Sequence, residues 1–212
     1  MANNKDSFKI VLLGDGAVGK SSILLRYTED KFNDNHQSTI QAAFATKNIS
    51  VDNKNVELNV WDTAGQEKFH ALGPIYYRDS NGALLVYDIT DEKSFKRVQN
   101  WVLELNRMLG QNCVLYIVGN KLDLESRRQV EPEEAQAYAE SVGATWGEVS
   151  AKDNINLDET FHKLTKLMID RTVEIQLAKL ERQPSLRRQG SRRTIRVEDD
   201  SNLQQKPSRK CC

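Results

Sequence analysis

The sequence has few of the residues that build disulfide scaffolds or histidine-based metal sites. Its 212 residues contain only three cysteines and three histidines. Cys211 and Cys212 are neighbours, and neighbouring Cα atoms lie about 3.8 Å apart, below the usual disulfide range of about 4.4–6.8 Å. Cys113 stands alone at the start of an apolar run and is expected in the core. The histidines are His36, His70 and His162, and their spacing predicts no metal site.

The chain also lacks a long hydrophobic run. No apolar stretch approaches the roughly 18 residues that indicate a transmembrane helix. The first residues form neither an apolar signal region nor an Arg-rich amphipathic segment. We therefore expect a chain that is neither secreted nor membrane-spanning. Its hydrophobic fraction of 39% is low for a fully packed chain and suits one domain with a polar appendage.

The net charge is zero, but the charges are unevenly distributed. From Val173 to Cys212 there are ten Lys and Arg residues against five Asp and Glu residues. This segment has no aromatic residue and little apolar content after Leu186, so its part beyond the last helix-like segment is expected to be disordered. Its arginines resemble a nucleic-acid arm, but the cysteines at its end favour a membrane-surface role. We expect no nucleic-acid partner.

A glycine-rich loop predicts a phosphate site. Residues 14–21 read Gly-Asp-Gly-Ala-Val-Gly-Lys-Ser, between an apolar stretch at 8–13 and a helix-like segment. This G-x-x-x-x-G-K-[ST] pattern, between strand and helix, presents backbone N–H groups and a helix dipole to an anion. Glycines permit backbone geometry that a Cβ would obstruct. Lys20 would reach the β- and γ-phosphates, and the Ser21 hydroxyl would bind Mg²⁺. The predicted nucleotide-binding residues here are Gly14, Gly16, Ala17, Val18, Gly19, Lys20, Ser21 and Ser22.

A second segment predicts the base. The run 114–119 is typical of a buried parallel strand, and Asn120, Lys121 and Asp123 follow it. Ligands of open α/β sheets bind at this end of the strands. A carboxylate accepts two hydrogen bonds, so Asp123 can pair with the N1–H and the exocyclic amine of guanine, whereas adenine has no such pair of donors. Asn120 and the Lys121 stem would position the loop and cover the base.

Two further segments predict hydrolysis and an additional base contact. Asp62 ends a hydrophobic strand and is placed to hold Mg²⁺, through water. Gly65 can offer its N–H to a γ-phosphate, and Gln66 can orient an attacking water without ionising, which makes it the predicted catalytic residue. Ser150, Ala151 and Lys152 follow another strand-like run. A backbone N–H near Ala151 would reach the guanine carbonyl.

Strand-like and helix-like segments alternate along most of the chain. The strand-like runs are 8–13, 56–61, 83–87, 114–118 and 144–149, and the helix-like segments are 21–30, 94–109, 132–142 and 157–180. Segments 43–51 and 56–62 flank the polar stretch 52–55, which predicts a hairpin and one antiparallel edge strand. The alternation predicts an α/β fold with a mostly parallel six-stranded sheet and helices on both faces.

From Ser7 to Met168, these segments together resemble the Rab family of small GTPases. The most specific stretches are 61–67, 76–78 and 85–90, and 69–80 is most similar to the endosomal branch of the family. The resemblance implies a P-loop GTPase domain at 8–172. It also implies an N-terminal extension at 1–7, and at 173–212 a last-helix extension with a basic tail that ends in a prenylation site.

The resemblance also implies roles for individual residues. Ser38 and Thr39 match switch I and would bind nucleotide, and Thr39 would also ligate Mg²⁺ and sense the γ-phosphate. Phe32 would pack against the guanine, and Gln66 begins switch II. Gln41 departs from the glycine of many Rabs and leaves the identity of the partners open.

The cysteines at the end of the chain match the family's lipidation site. Rab proteins usually carry a geranylgeranyl group on each of the residues that match Cys211 and Cys212, and two lipid chains give a stable anchor where one binds reversibly. The resemblance implies a membrane reached through the tail, an exchange factor, an activating protein, effectors, an escort protein and a GDP-dissociation inhibitor. It implies a monomer that cycles between the cytosol and the cytoplasmic face of early endosomes.

The favoured interpretation is a switch that hydrolyses GTP to GDP and phosphate. In it, the γ-phosphate and Mg²⁺ order two switch segments, and hydrolysis releases them. One alternative is a P-loop ATPase or kinase, against which Asp123 argues. The other is a membrane scaffold that holds nucleotide without hydrolysing it, against which Gln66 argues.

Overall fold

A six-stranded sheet forms the centre of the molecule. The computed structural model describes residues 6–34, 39, 43–63 and 76–182. The strands are β1 (Asp6–Leu13), β2 (Ala43–Val51), β3 (Lys54–Asp62), β4 (Gly82–Asp88), β5 (Val114–Asn120) and β6 (Thr145–Glu148). Their order is β2-β3-β1-β4-β5-β6, and only β2 runs antiparallel to its neighbour. The predicted sheet is therefore confirmed.

Within the described residues, four helices cover the two faces of the sheet. They are α1 (Lys20–Glu29), α2 (Glu92–Leu109), α3 (Pro132–Ser141) and α4 (Leu157–Arg182), with short 3-10 turns at 110–112 and 122–127. Side chains of β1 alternate between two cores, since Ile10 packs with α1 and α4 whereas Val11 packs with α2 and α3. All seven residues of β4 are buried, as expected for a strand covered on both faces.

The β2–β3 hairpin differs from its prediction. The polar stretch 52–55 suggested a loop of four residues, but Val51 pairs with Lys54 and Ser50 with Asn55. Only Asp52 and Asn53 form the turn, with φ values of 48° and 64°. Two positive φ values are typical of the tight turn that fits the twist of a hairpin, and Asp and Asn tolerate them. β3 therefore begins at Lys54, and its first two side chains are exposed.

Candidate functional site

The predicted site loops meet at the carboxyl ends of the parallel strands. A cavity of about 360 Å³ opens there, between the loops that follow β1, β5 and β6. Of the predicted site residues, those lining it are Gly16, Ala17, Gly19, Lys20, Ser21, Ser22, Phe32, Thr39, Asn120, Lys121, Asp123, Ala151 and Lys152. Parallel strands bring their loops to one edge of a sheet, which explains why segments far apart in sequence share this cavity.

Two glycines of the first loop allow its backbone to pack closely. Gly14 has φ +146°, and a Cβ there would lie 2.1 Å from the Val86 carbonyl oxygen. Gly19 has φ +97°, and a Cβ there would lie 2.3 Å from Nδ2 of Asn120. Since neither position has room for a side chain, the predicted need for glycine is confirmed at both.

Lys20 is buried beneath this loop. Only 5% of it is exposed, and its Nζ donates to the carbonyls of Gly14 at 2.9 Å and Asp15 at 2.8 Å. Burial lowers the pKa of Lys20 to about 8, against the attraction of the Asp62 and Asp15 carboxylates. A bound phosphate would add negative charge beside this amine and favour its protonated form. The lysine is therefore a cation that an anionic ligand can stabilise.

Three oxygen-bearing side chains converge beside Lys20. The Ser21 hydroxyl lies 2.7 Å from Oγ1 of Thr39 and donates to Oδ2 of Asp62. Hydroxyl and carboxylate oxygens are the ligands that Mg²⁺ takes from proteins. These residues therefore fit a magnesium ion. No group of three or more His, Cys, Asp and Glu side chains that could hold a metal is found among the described residues, and this site has only one carboxylate beside its two hydroxyls.

Asn120 joins the loops at the opposite end of the cavity. It is 2% exposed, and its Nδ2 donates to the Val18 carbonyl at 2.8 Å. Its Oδ1 accepts from the Ala151 backbone N–H at 3.2 Å. One amide side chain thus ties the loop after β5 to the loops after β1 and β6. The sequence prediction that Asn120 positions the loop is confirmed.

The Asp123 carboxylate lines the cavity in a fixed orientation. Its Oδ1 accepts from the Ser150 hydroxyl at 2.6 Å, and that hydroxyl accepts from the Asp153 N–H at 3.0 Å. Lys121 forms an ion pair with Asp88 at 2.6 Å, which holds the lysine at the cavity wall. The loops at 121–124 and 150–152 therefore present one oriented carboxylate to a ligand.

Sequence reasoning missed two arginines that fasten these loops. Arg128 forms a double hydrogen bond with Glu148 at 2.6 and 3.0 Å, and it also bonds Glu125. Those bonds raise the pKa of Arg128 further above its usual range. Arg26 bonds the backbone of the loop at 150–152. No local pattern in the sequence could have revealed the Arg128–Glu148 pair or the contacts of Arg26, because their partners lie 20 or more residues apart.

An exposed aromatic patch was also missed. Phe44 is 52% exposed, and its ring centre lies 5.0 Å from that of Trp61, which lies 6.3 Å from that of Tyr76. The three residues flank segments 40–42 and 64–75, which lie outside the described residues. Exposed aromatic clusters are typical of surfaces that bind other proteins. The signal available in the sequence was Phe44 itself, a large apolar residue on an edge strand.

Several residues predicted from the sequence belong to segments that the structure does not describe. Ser38, Gly65, Gln66, His36, His70, Gln41, Cys211 and Cys212 lie outside the described residues. Of the other predictions, Cys113 is buried in the core, and His162 is exposed on α4. Among the helices of the described segments, none has the length and apolar content to cross a bilayer.

The chain matches a protein family over most of its length. A family model described as "Ras family" matches residues 9–170. Ras-related protein Rab-21 of Rattus norvegicus is 54% identical over 206 residues, which cover 97% of this chain and 92% of that protein. Rab-21 of Geodia cydonium is 55% identical over 76% of this chain and 71% of the relative. Rab-21 of Dictyostelium discoideum is 53% identical over 80% of each.

These matches decide between the alternatives that the residues left open. A P-loop ATPase, a kinase and a scaffold without hydrolysis are set aside, since Ras and Rab proteins are GTPases. The chain therefore belongs to the Ras family, in its Rab branch, as a small GTPase that binds guanine nucleotide, hydrolyses GTP and acts in membrane traffic with exchange factors, activating proteins and effectors.

Proposed function

We propose that the chain is a Mg²⁺-dependent GTP/GDP switch whose nucleotide occupies the cavity at the carboxyl edge of the sheet. One observation carries this proposal: the Asn120 side chain is hydrogen-bonded to the backbones of both Val18 and Ala151. These bonds hold the loop at 14–19, which would bind phosphate, next to the loop at 150–152, which would bind the base. One ligand with an anionic end and a hydrogen-bonding end fits between them.

The phosphates would lie against the loop at 14–19. The first turn of α1 follows this loop, and within the described chain no side chain caps its N-terminus. Its backbone N–H groups are therefore open to an anion, and the helix dipole favours negative charge there. Lys20 would exchange its carbonyl partners for phosphate oxygens. Gly16, Ala17 and Ser22 line the same end of the cavity.

The guanine would lie against the two base-side loops. Asp123 would accept from its N1–H and amine, and a backbone N–H near Ala151 would donate to its carbonyl. Phe32 lines the cavity and would cover one face of the base. Lys121 and Lys152 would flank it with their stems, and Ser150 would hold Asp123 in place. Ser38 is assigned to nucleotide binding by the family resemblance alone, and Gly65 by the N–H that it can offer to the γ-phosphate.

Ser21, Thr39 and Asp62 would hold the magnesium ion. When bound, Mg²⁺ neutralises charge on the β- and γ-phosphates. Asp62 is 1% exposed, and a buried carboxylate needs a nearby positive charge to stay ionised. Lys20 supplies part of that charge, since the two groups attract each other. The hydroxyls of Ser21 and Thr39 would turn their lone pairs toward the ion.

Ser21→Asn should disturb the metal set and weaken GTP more than GDP. An amide at this position displaces the hydroxyl that contacts both Thr39 and Asp62. We expect GTP affinity to fall by at least about tenfold more than GDP affinity, a difference of about 1.4 kcal/mol. Titrations of both nucleotides at several Mg²⁺ concentrations measure it, with Ser141→Asn, at an exposed serine on α3, as the control. Wild-type affinities with normal Mg²⁺ dependence would remove Ser21 from the metal site.

Gln66 would orient the water that attacks the γ-phosphate. Its amide oxygen can accept a hydrogen bond from the water while its NH₂ group donates one to the phosphate, and neither step ionises the side chain. Intrinsic hydrolysis should be slow, on the order of 10⁻⁴ to 10⁻³ s⁻¹ by analogy with Ras. The rate of hydrolysis would then determine how long the protein stays in its GTP-bound state, and effectors would recognise the conformation of the two switch segments in that state.

Gln66→Leu should lower hydrolysis and leave GTP affinity near normal. Leucine keeps the approximate size of the side chain and removes both groups that orient water. Single-turnover phosphate release from preloaded protein measures the rate, with Gln129→Leu as a control at a distant glutamine. Release from Gln66→Leu at the wild-type rate would contradict the catalytic assignment.

We place effector binding on the patch of Phe44, Trp61 and Tyr76. These residues border both switch segments, so a change in either segment would alter what the patch presents. The exposed Phe44 ring and the half-buried rings of Trp61 and Tyr76 offer the apolar anchors that protein interfaces favour. The nucleotide state would thereby control access to this surface.

The remaining proposals concern membrane cycling. We infer a GTPase domain at 8–172, an N-terminal extension at 1–7, and a tail at 173–212 that carries lipid on Cys211 and Cys212. A monomer would cycle between the cytosol and the cytoplasmic face of early endosomes, handled by an escort protein and a GDP-dissociation inhibitor. The family resemblance supports these assignments, and the double cysteine and basic tail are consistent with them.

A further inference from the structure

Arg26, near the end of α1, contacts three parts of the base end of the cavity. Its Nε donates to the Ala151 carbonyl at 3.0 Å, and its Nη2 donates to the Lys152 carbonyl at 3.0 Å. Its Nη1 donates to the carbonyl and the carboxylate of Asp30, both at 3.0 Å. The guanidinium carbon lies 5.9 Å from the centre of the Phe32 ring. One side chain therefore joins the loop at 150–152, the end of α1 and the ring at the cavity wall.

These contacts need an arginine. The side chain is 17% exposed, and its bond to the Ala151 carbonyl is partly buried, whereas its bonds to Asp30 and to the Lys152 carbonyl lie at the surface. A guanidinium holds its donors in a rigid plane and can bond two successive carbonyls at once, whereas a lysine amine acts as a single point charge. Hydrogen bonds from an ionised donor are also stronger than those between neutral groups. Arg26 therefore fixes two adjacent peptide units together.

Fixing those peptide units fixes the groups that face the ligand. The Ala151 carbonyl shares a planar peptide with the Lys152 N–H, and the Lys152 carbonyl shares one with the Asp153 N–H. The Asp153 N–H donates to the Ser150 hydroxyl, which donates to the Asp123 carboxylate. A continuous chain of bonds thus runs from Arg26 to the carboxylate that lines the cavity.

The same side chain also reaches the start of the first switch region. α1 ends at Glu29, and Asp30 takes the left-handed conformation with φ 53° while its N–H donates to the Arg26 carbonyl. Phe32 follows two residues later and lines the cavity. Arg26 therefore lies at the junction between the end of α1 and the segment with Phe32, which lines the base end of the cavity.

We propose that Arg26 is a positioning residue of the base pocket, which sets how fast guanine nucleotide leaves by holding the loop at 150–152 and the Phe32 ring in one arrangement. The proposal rests on the placement of guanine against Asp123 made above. Arg26 does not touch the nucleotide in this account. It acts on the base through Ser150, Asp123 and Phe32.

Arg26→Met tests the proposal because it removes every donor and keeps a stem of similar length. We expect GDP release, followed by chasing a fluorescent GDP analogue in the presence of Mg²⁺, to become about tenfold faster or more. Arg26→Lys keeps the positive charge but lacks the planar set of guanidinium donors, so it should accelerate GDP release less than Arg26→Met does. Arg171→Met, which removes an arginine paired with Glu174 on α4, should release GDP at the wild-type rate.

A second measurement separates positioning from general destabilisation. IDP lacks the exocyclic amine that Asp123 would bind, so the preference for GDP over IDP reports the position of that carboxylate. This preference should shrink in Arg26→Met, while the factor by which EDTA accelerates release should stay at its wild-type value. A general loosening of the domain would change both quantities.

Four results would overturn the inference. Arg26→Met could release GDP at the wild-type rate, or release it faster with an unchanged preference for GDP over IDP, which would leave only a packing role. If Arg26→Met does not fold, Arg26→Lys carries the test, and release at the wild-type rate would contradict the proposal. A wild-type protein with no preference for GDP over IDP would overturn the guanine placement itself, and this inference with it.

Discussion

Asp123→Asn should convert this guanine-binding protein into one that prefers xanthine nucleotides. The carboxylate accepts two hydrogen bonds, whereas an amide accepts at one atom and donates at the other. Because Ser150 donates to Oδ1, the carbonyl oxygen of the variant takes that position and the NH₂ group takes the position of Oδ2. That NH₂ group would face the amine of guanine, so two donors would oppose each other.

Xanthine relieves this conflict because it carries a carbonyl where guanine carries its amine. A site built for one donor pattern rejects the other by on the order of 10⁴-fold when buried groups are left unpaired. We expect GTP affinity to fall by roughly 10²- to 10⁴-fold and xanthosine triphosphate affinity to rise. Competition among GTP, xanthosine triphosphate and ATP for the same protein measures the change directly.

Asp153→Asn is the matched control for this experiment. It makes the same change of charge in the neighbouring loop after β6, but the Asp153 side chain is exposed and does not line the cavity. Its backbone N–H, which holds Ser150, is retained. Guanine preference should therefore stay as in the wild type. An Asp123→Asn protein that still binds GTP with wild-type affinity would remove Asp123 from the base site.

Much of this site was predictable because most of its functional residues lie in short contiguous segments of the sequence. The loop at 14–21 and the triplet of Asn120, Lys121 and Asp123 each follow an apolar run, so their place at the carboxyl edge of the sheet follows from the strand pattern alone. The alternation of elements likewise predicted the sheet and the helices that cover both faces. Local sequence carries this information because each signal fits within about ten residues.

The arrangement that fastens the site was not predictable for the opposite reason. Arg26 meets a carbonyl that lies 125 residues further along the chain, and Asn120 meets the Val18 carbonyl 102 residues before it. Such contacts depend on how helices pack on the sheet, which no local pattern encodes. The hairpin itself was predicted, but its loop was expected to be two residues longer than it is. Lys54 and Asn55 are exposed strand residues, and in the sequence they look like loop residues.

Replacing both Cys211 and Cys212 with serine should move the protein from membranes to the cytosol. A prenyl chain contributes roughly 0.8 kcal/mol for each buried CH₂, so two chains outweigh every other contact that the tail can make. Each basic residue adds at most about 1 kcal/mol near an anionic leaflet, and Glu198, Asp199 and Asp200 oppose that attraction. The lipids should therefore determine binding, and the charges should only modulate it.

Fractionation and imaging of a fluorescent fusion against endosomal markers measure this loss together with the proposed compartment. A single replacement should leave weak or misdirected membrane association, because one lipid chain binds reversibly. GTP binding should be unchanged in both variants, since the tail lies outside the proposed GTPase domain. High salt should release little of the wild-type protein, since the lipid contribution is not electrostatic.

Cys113→Ala separates lipidation from the mere loss of a thiol. Cys113 is buried, and burial raises the pKa of its thiol to about 12, so it remains protonated and out of reach of a modifying enzyme. Its replacement should leave membrane association at the wild-type level. A double-serine variant that still sediments with membranes would show that the basic tail or a protein partner, and not the lipid, provides the anchor.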